Sequence, residues 1–198
     1  MTAYLASYTV PTPHSQVIMA RSPYLEAKVN RWCKDKRELV IEDCDLVTFN
    51  IIVDYMYGGP IPESVVNEDI PHIDLTEKDL QNTEILLQYS TGTLGSLAKL
   101  LQMSDRLLMV DLKGEVEELM IKILNDDSRS WILTLGIVPM LVVLGEKYDC
   151  QKLLLNCARH WCARCGPMKN ISMDESCTIV KRSPKFAAAL LVAVGELN

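Results

Sequence analysis

Four side chains of metal-binding or redox-active type lie close together in the sequence: Cys157, His160, Cys162 and Cys165. The Cys162-x-x-Cys165 spacing is typical of zinc sites, which use thiolate and imidazole ligands. In a helix, however, Cys162 lies about 140° around the axis from Cys157. Four side chains of one short helix cannot surround an ion tetrahedrally, and no second ligand pair lies nearby. We interpret them as packing cysteines; a zinc-dependent or thiol enzyme stays an alternative that stoichiometric zinc would favour.

Other signs of catalysis are sparse. The chain has three histidines, His14, His72 and His160, and they are far apart in the sequence. It has no Gly-x-Ser-x-Gly elbow, phosphate loop or dinucleotide fingerprint, because Gly58-Gly59 is followed by a proline. The sequence therefore predicts a protein that is not an enzyme and needs neither a cofactor nor a metal.

Composition limits the classes of partner. The 198 residues are 48% hydrophobic and 23% charged, and 20 basic against 26 acidic residues give a net charge of −6. Such a chain folds, but it lacks the basic surface of a nucleic-acid binder. The longest apolar stretch, 131–145, is too short for a membrane span and contains Pro139. The seven cysteines suit a reducing compartment, so we expect a cytoplasmic or nuclear protein without a secretory signal.

Capping residues and apolar spacing predict mainly helices. Ser22-Pro23 starts one helix, and Asp45 starts another whose buried side carries Leu46, Phe49, Val53 and Met56. His14 precedes the first of these helices. The predicted helices are 23–33, 46–57, 97–109, 112–124, 131–144, 147–164 and one from 183 that ends before Gly195; short strands are predicted within 4–10 and at 39–41. We expect a mainly α, α+β fold with a short sheet and a helical C-terminal extension.

Two segments resemble the BTB (POZ) domain. In PHSQVIMARSPYL, His14, Ile18, Ser22, Tyr24 and Leu25 follow the family's pattern of a histidine, an apolar residue, a serine and two large apolar or aromatic positions. The resemblance implies that these residues belong to the core and turns of a BTB-like fold.

The second segment, VIEDCDLVTFNIIVDYMYGG, resembles the family's Phe-x-x-apolar-apolar-x-aromatic-x-Tyr-x-Gly pattern through Phe49, Tyr55, Tyr57 and Gly59. A third, from Ser104-Asp105 to Val116, is similar to an Ala-Asp-x-Leu-x-Met-x-x-Leu signature. Three motifs in the family's order favour the fold more directly than a function.

The C-terminal third resembles the helices that follow the BTB domain in speckle-type POZ (MATH–BTB) adaptors of cullin-type ubiquitin ligases. The resemblance implies a BTB/POZ-like domain at 1–125, with an irregular insertion at about 62–93. Within the insertion, Ile85, Leu86 and Tyr89 share a face in a helical conformation, so their spacing predicts a short helix near 83–89. The resemblance also implies a helical extension of the BACK and 3-box kind at 126–198.

The implied partner is a cullin scaffold, met at the end of the Ser-Pro helix by Val29, Trp32, Cys33 and Lys34. The family's apolar-x-Glu contact motif lacks its glutamate here, and only about 13 residues precede His14, which weakens the expectation of a strand-exchanged homodimer. The predicted function is a protein-interaction module of the substrate-adaptor type. The alternative is a self-association or scaffold protein without cullin binding.

Overall fold

The structure, a computed structural model, describes residues 6–9, 12–32, 38–67, 92–126, 131–165, 180–181 and 183–196. Within these ranges the chain is mainly helical, which confirms the predicted fold class. In chain order the elements are β1 (Ala6–Thr9), α1 (Thr12–Arg21), α2 (Pro23–Trp32), β2 (Glu38–Ile41), α3 (Leu46–Met56), α4 (Glu63–Asn67), α5 (Thr93–Arg106), α6 (Val110–Leu124), α7 (Trp131–Lys147), α8 (Gln151–Cys165) and α9 (Pro184–Glu196).

The described residues divide into two compact units. The first unit contains the described residues within 1–68 and 96–116. The second unit contains the described residues within 69–95 and 117–198. The division therefore falls inside α5 and α6, and the predicted boundary between 125 and 126 stays a prediction. The predicted insertion at 62–93 begins with the helix α4, so its first residues are not irregular. Its remainder up to residue 91, including the predicted helix at 83–89, lies outside the described residues.

In the first unit, β1 and β2 form an antiparallel pair with Ala6 opposite Ile41 and Thr9 opposite Glu38. Pro11 follows β1 in the sequence, and a proline has no N–H with which to extend a ladder. His14 precedes α2, as predicted, but it lies inside α1, a helix that the sequence analysis did not predict. Ile18 is the one buried side chain among residues 15–21, so α1 has no apolar stripe that spacing reveals.

Ser22 joins α1 to α2 and is completely buried. Its hydroxyl accepts a hydrogen bond from the backbone N–H of Leu25 at 3.2 Å, which is the N-cap contact predicted for a Ser-Pro start. The same hydroxyl donates to the carbonyl of Leu107 at 2.6 Å. One side chain therefore starts α2 and fixes the turn between α5 and α6.

The N-cap of α3 is Asp45, as predicted. Its carboxylate accepts the Thr48 N–H at 2.8 Å and lies 3.0 Å from the Lys99 ammonium. Partial burial opposes ionisation, but these two partners together hold the pKa of Asp45 below its ordinary value. The cap thus stays charged, and it complements the positive end of the helix.

The buried side of α3 differs from the predicted stripe. Phe49 and Met56 are buried as expected, but Leu46 is 58% exposed and Val53 is half-buried. Ile52 lies on the buried side instead. The predicted stripe was therefore wrong at its first position, where the helix has barely begun.

α3 ends at two glycines with different roles. Gly58 has a φ of 90°, a left-handed conformation that suits glycine. The Gly59 N–H donates to the Asp54 carbonyl at 2.9 Å, and a Cβ on Gly59 would lie 3.0 Å from that oxygen. The helix therefore ends abruptly at this turn.

α5 begins four residues earlier than predicted and ends at Arg106. Its inner face carries Leu97, Leu100, Leu101 and Ser104, which are all buried. The apolar side of α6 is buried at Leu112, Val116, Met120, Ile123 and Leu124, and Leu119 is half-buried. Leu107 is buried in the turn between the two helices, and Leu108 has a φ of 56°.

In the second unit, α8 packs against α7 and α9. Gly145 permits the close approach of α7 to α8, because a Cβ there would lie 2.8 Å from a methyl of Leu154. α7 continues past the predicted end at 144 and contains Pro139. None of the helices in the described ranges has both the length and the apolar character needed to cross a bilayer.

α9 starts at Pro184 as predicted but continues through Gly195 to Glu196, so its predicted end was wrong. The side chain of Arg159 donates two hydrogen bonds to the Glu196 carboxylate, at 2.8 and 2.7 Å. This paired contact joins the last turn of α9 to α8.

Phe49→Ala is expected to lower the free energy of unfolding by about 3–5 kcal/mol, since it removes a buried ring and leaves a cavity. Chemical denaturation of the full chain measures this change. Val47→Ala, on the exposed side of the same helix, is the control and is expected to stay within about 0.5 kcal/mol of the parent. Equal losses for both variants would contradict the placement of Phe49 in the core.

Ser22→Ala is expected to cost about 2–4 kcal/mol, because it removes the cap and leaves the Leu107 carbonyl without its donor. Ser22→Gly separates the two losses, since glycine is an acceptable N-cap but has no hydroxyl. We expect the glycine variant to be the more stable of the two in thermal and chemical unfolding. If both variants unfold like the parent, the hydrogen bond to Leu107 contributes nothing.

Gly145→Ala is expected to destabilise the fold by about 1–3 kcal/mol, because the added methyl collides with Leu154. Gly114→Ala is the matched control, since Gly114 lies inside α6 with nothing within 4 Å of an added Cβ. There the better helix propensity of alanine is expected to stabilise by up to about 1 kcal/mol. The two variants are expected to change the free energy of unfolding in opposite directions. A change in the same direction for both would refute the close approach at Gly145.

Candidate functional site

The C-terminal end of α2 carries the residues predicted to meet a partner. Val29 is half-buried, and Trp32 is the last residue of the helix. The side chain of Trp32 and the whole of Cys33 and Lys34 lie outside the described residues. The helix end is therefore placed, and the contact role of these four residues stays a prediction.

Earlier in α2, Tyr24 is half-buried, and the Lys28 ammonium lies 5.7 Å from the centre of its ring. A cation–π contact at a partly exposed site contributes about 0.5–1 kcal/mol. This pair stiffens the outer side of α2 and offers no catalytic group. The residue types here suit contact with a protein rather than chemistry.

The remaining signature residues fall into structural positions. Phe49 is in the core, Gly59 closes the turn after α3, and Tyr57 caps the end of α3 with an exposed ring. The backbone of His14 lies in α1, and its side chain is outside the described part. Asp105, at the end of α5, accepts a 2.6 Å hydrogen bond from the Lys113 ammonium.

Arg106 also anchors the turn after α5. Its guanidinium donates to the Glu42 carbonyl at 2.7 Å and lies 3.6 Å from the Asp43 carboxylate. Together with the Asp105–Lys113 pair, this contact ties the α5–α6 turn to the turn between β2 and α3. The backbone at 107–109 is thus held from both sides.

A small cleft opens at this turn, and we call it the Leu108 cleft. Its volume is about 170 Å³. Its lining is formed by Arg21, Tyr55, Leu108, Met109, Val110, Asp111 and Leu112. The cleft thus combines the end of α1, the end of α3 and the start of α6, all within the first unit.

Tyr55 is the polar wall of the Leu108 cleft. Its hydroxyl donates to a carboxylate oxygen of Glu115 at 3.2 Å. Burial, and then the negative charge of Glu115, raise the pKa of Tyr55 to about 12. The hydroxyl therefore stays protonated at physiological pH and acts as a hydrogen-bond donor, not as a base.

Sequence reasoning missed this cleft. It treated 104–116 as one signature and continued the predicted helix 97–109 through the apolar residues Leu107-Leu108-Met109. The turn between Arg106 and Val110 directs alternate residues of that run outward. A run of four apolar residues does not by itself indicate an exposed turn. It does so here only because the helix ends at Arg106, which the sequence does not show.

The thiols are poor candidates for chemistry. Burial raises the pKa of Cys157, and burial followed by the charge of Asp45 raises that of Cys44 to about 11. A nucleophilic or metal-binding cysteine needs the opposite shift. Cys162 is half-buried, and the side chain of Cys165 lies outside the described part. Among the described residues, no three histidine, cysteine or acidic side chains are grouped so that they could hold a metal ion.

The family comparison agrees with this geometry. A family model for the BTB/POZ domain matches residues 10–91, which include α1, α2, β2, α3 and the signature residues from His14 to Gly59. No curated protein and no solved structure matches the chain. The match, the buried Ser22 and Phe49 and the glycine turn after α3 show that the chain contains a BTB/POZ domain, at residues 10–91.

Proposed function

We propose that this BTB/POZ protein is an adaptor-type subunit of a cullin-RING ubiquitin ligase. The observation that carries the proposal is the BTB/POZ match at 10–91, because the domain is a protein–protein interaction module. A contact module needs exposed groups on a rigid frame and no catalytic centre. The first unit supplies such a frame, since α1 packs against both α2 and α3, and Ser22 and Phe49 are buried.

The proposal that the partner is a cullin has separate support from the sequence that follows the domain. That part of the chain resembles the helices of cullin-ligase adaptors, and the helices α7, α8 and α9 form there. Within the second unit, Leu153 donates its N–H to Glu117 at 2.9 Å, and the N–H of Phe186 donates to Glu146 at 2.8 Å. These contacts fix the starts of α8 and α9 through the positive ends of the helices, as an ordered extension requires.

The proposed scaffold contact is the end of α2. Trp32 is the anchor, because a large aromatic side chain inserted in a partner's pocket contributes more binding energy than its neighbours. The family's glutamate is absent after it, so the affinity is expected to be below that of related adaptors. Lys34 occupies the position at which a glutamate would restore the apolar-x-Glu pattern from Trp32.

The competing function is self-association without a cullin. The missing glutamate favours it, since one charge-assisted contact contributes about 1.5–3 kcal/mol. Sedimentation of the purified chain alone and with a cullin N-terminal domain separates the two functions. A higher-order assembly that excludes the cullin domain would replace the adaptor proposal. The proposed location is the cytoplasm or the nucleus, where cullin ligases are found.

Lys34→Glu is expected to strengthen binding to the purified cullin N-terminal domain by about one to two decades in Kd. Trp32→Ala is expected to abolish that binding while the thermal midpoint changes little. Titration calorimetry gives the affinities. Arg31→Glu is the matched control, since it makes the same charge change at an exposed neighbour and should not strengthen binding.

Two results would contradict this contact. If Trp32→Ala unfolds the protein, Trp32 belongs to the core and the assignment of the interface fails. If neither Trp32→Ala nor Lys34→Glu alters the affinity, the scaffold binds elsewhere or not at all, and self-association becomes the better explanation.

A further inference from the structure

Leu108 combines a left-handed backbone conformation with an exposed side chain, and leucine is a favoured residue for neither. Its φ is 56°, and its side chain is 54% exposed. The left-handed conformation costs an ordinary residue about 1–2 kcal/mol, and an exposed leucine gains little from the hydrophobic effect. Asp43 and Asp149 are the other non-glycine residues with positive φ in the described part, and aspartate tolerates that conformation.

Val110 continues the same pattern at the first position of α6. It is 77% exposed, whereas Met109 between the two is buried. A β-branched residue is also a weak helix former, so α6 gains nothing from valine at its start. Two large apolar side chains therefore project from one short, tightly held turn.

Both residues line the Leu108 cleft, and the size of the cleft limits what it holds. Its 170 Å³ lies below the roughly 300–1,000 Å³ of small-molecule pockets. A single leucine, methionine or phenylalanine side chain is an occupant of the right scale. The apolar rim would then cover the rest of the segment that carries this side chain.

The charges of the cleft indicate what lies beside that side chain. Arg21 is exposed at the end of α1, and within the described residues it makes no ion pair. The acidic groups already have local roles: Glu115 accepts the Tyr55 hydroxyl, and Asp111 lies in the first turn of α6, where a negative charge is favourable. Arg21 is thus the cation that the lining offers to a carboxylate from outside.

We propose that the Leu108 cleft receives one large apolar side chain of a partner protein, and that Arg21 binds a carboxylate on the same partner segment. The inference deepens the proposed interaction function by naming a second contact surface and the chemistry it recognises. It does not require that the partner be a cullin.

The test starts from a display library of random peptides selected on the immobilised full chain. Enriched peptides are expected to share a leucine, methionine or phenylalanine at a fixed distance from an acidic residue. Their affinities are measured by fluorescence polarisation with synthetic labelled peptides. Leu108→Asn is expected to weaken binding by about tenfold or more, because it removes the apolar rim.

Stability separates a contact role from a structural role. Asparagine and glycine both accept the left-handed conformation, so Leu108→Asn and Leu108→Gly are expected to unfold no earlier than the parent chain. Leu46→Ser is the matched control, since Leu46 is equally exposed on the same unit and lies outside the cleft lining. That variant is expected to keep the peptide affinity.

Arg21→Gln tests the carboxylate. It is expected to lower the affinity of the enriched peptides for the chain. The affinity of the same peptides with glutamine in place of the acidic residue is expected to stay unchanged. The proposal is overturned if no peptide is enriched relative to a selection on the Leu108→Asn chain. It is also overturned if neither Leu108→Asn nor Arg21→Gln changes the peptide affinity, or if Leu108→Asn lowers the stability of the chain.

The same variants keep this inference distinct from the adaptor proposal. If peptides bind through Leu108 while the cullin domain does not bind the chain, the adaptor proposal fails and the cleft remains a site. If the cullin domain binds through Trp32 and no peptide is enriched, the cleft proposal fails and the adaptor role remains.

Discussion

The Ser22 hydroxyl connects two segments that lie 85 residues apart in the chain, and the surface of the first unit depends on it. It caps α2 through the Leu25 N–H and holds the Leu107 carbonyl in a fully buried position. A buried carbonyl needs a donor, so the chain cannot leave this position without losing a hydrogen bond. The path from α5 into α6 is therefore set by a side chain of the α1–α2 junction.

That constraint explains the strained residue that follows. With Leu107 held inside, the chain reverses at Leu108, and the Met109 N–H donates back to the Ser104 carbonyl at 2.8 Å. The ion pairs of Asp105 and Arg106 lie at the surface, where each contributes at most about 1 kcal/mol. These ion pairs limit the motion of the turn, whereas the Ser22–Leu107 hydrogen bond determines its path. A rigid turn loses little entropy when a partner binds.

Local signals were predictable, and long-range ones were not. The caps at Ser22 and Asp45 and the glycine turn after α3 involve residues a few positions apart, so capping rules identify them from sequence. The last turn of α9, past Gly195, contacts Arg159, which lies 37 residues from Glu196 and has no local signal. Leu46 was misplaced because apolar spacing defines a stripe but not which end of it enters the core.

The candidate sites show the same limit. The family resemblance indicated the end of α2 as a contact site, and this stays a prediction, because a motif cannot describe the side chain of Trp32 or the residues beyond it. The Leu108 cleft was invisible because its residues come from α1, α3 and α6, and because a positive φ has no sequence signature at a leucine. Cysteine spacing suggested chemistry that burial then made unfavourable at Cys157.

The two proposed surfaces share Ser22 but remain separable by mutation. α2 starts at this residue and ends at Trp32, and the Leu108 turn is held by the same hydroxyl. A substitution at Ser22 therefore disturbs both surfaces and cannot distinguish them. Leu108 and Trp32 lie downstream of that junction in different segments, and the exposed Leu108 side chain takes no part in the hydrogen bonds of Ser22. A variant that loses binding at one surface and keeps it at the other therefore acts on that surface alone. A variant that loses binding at both surfaces disturbs the shared junction at Ser22.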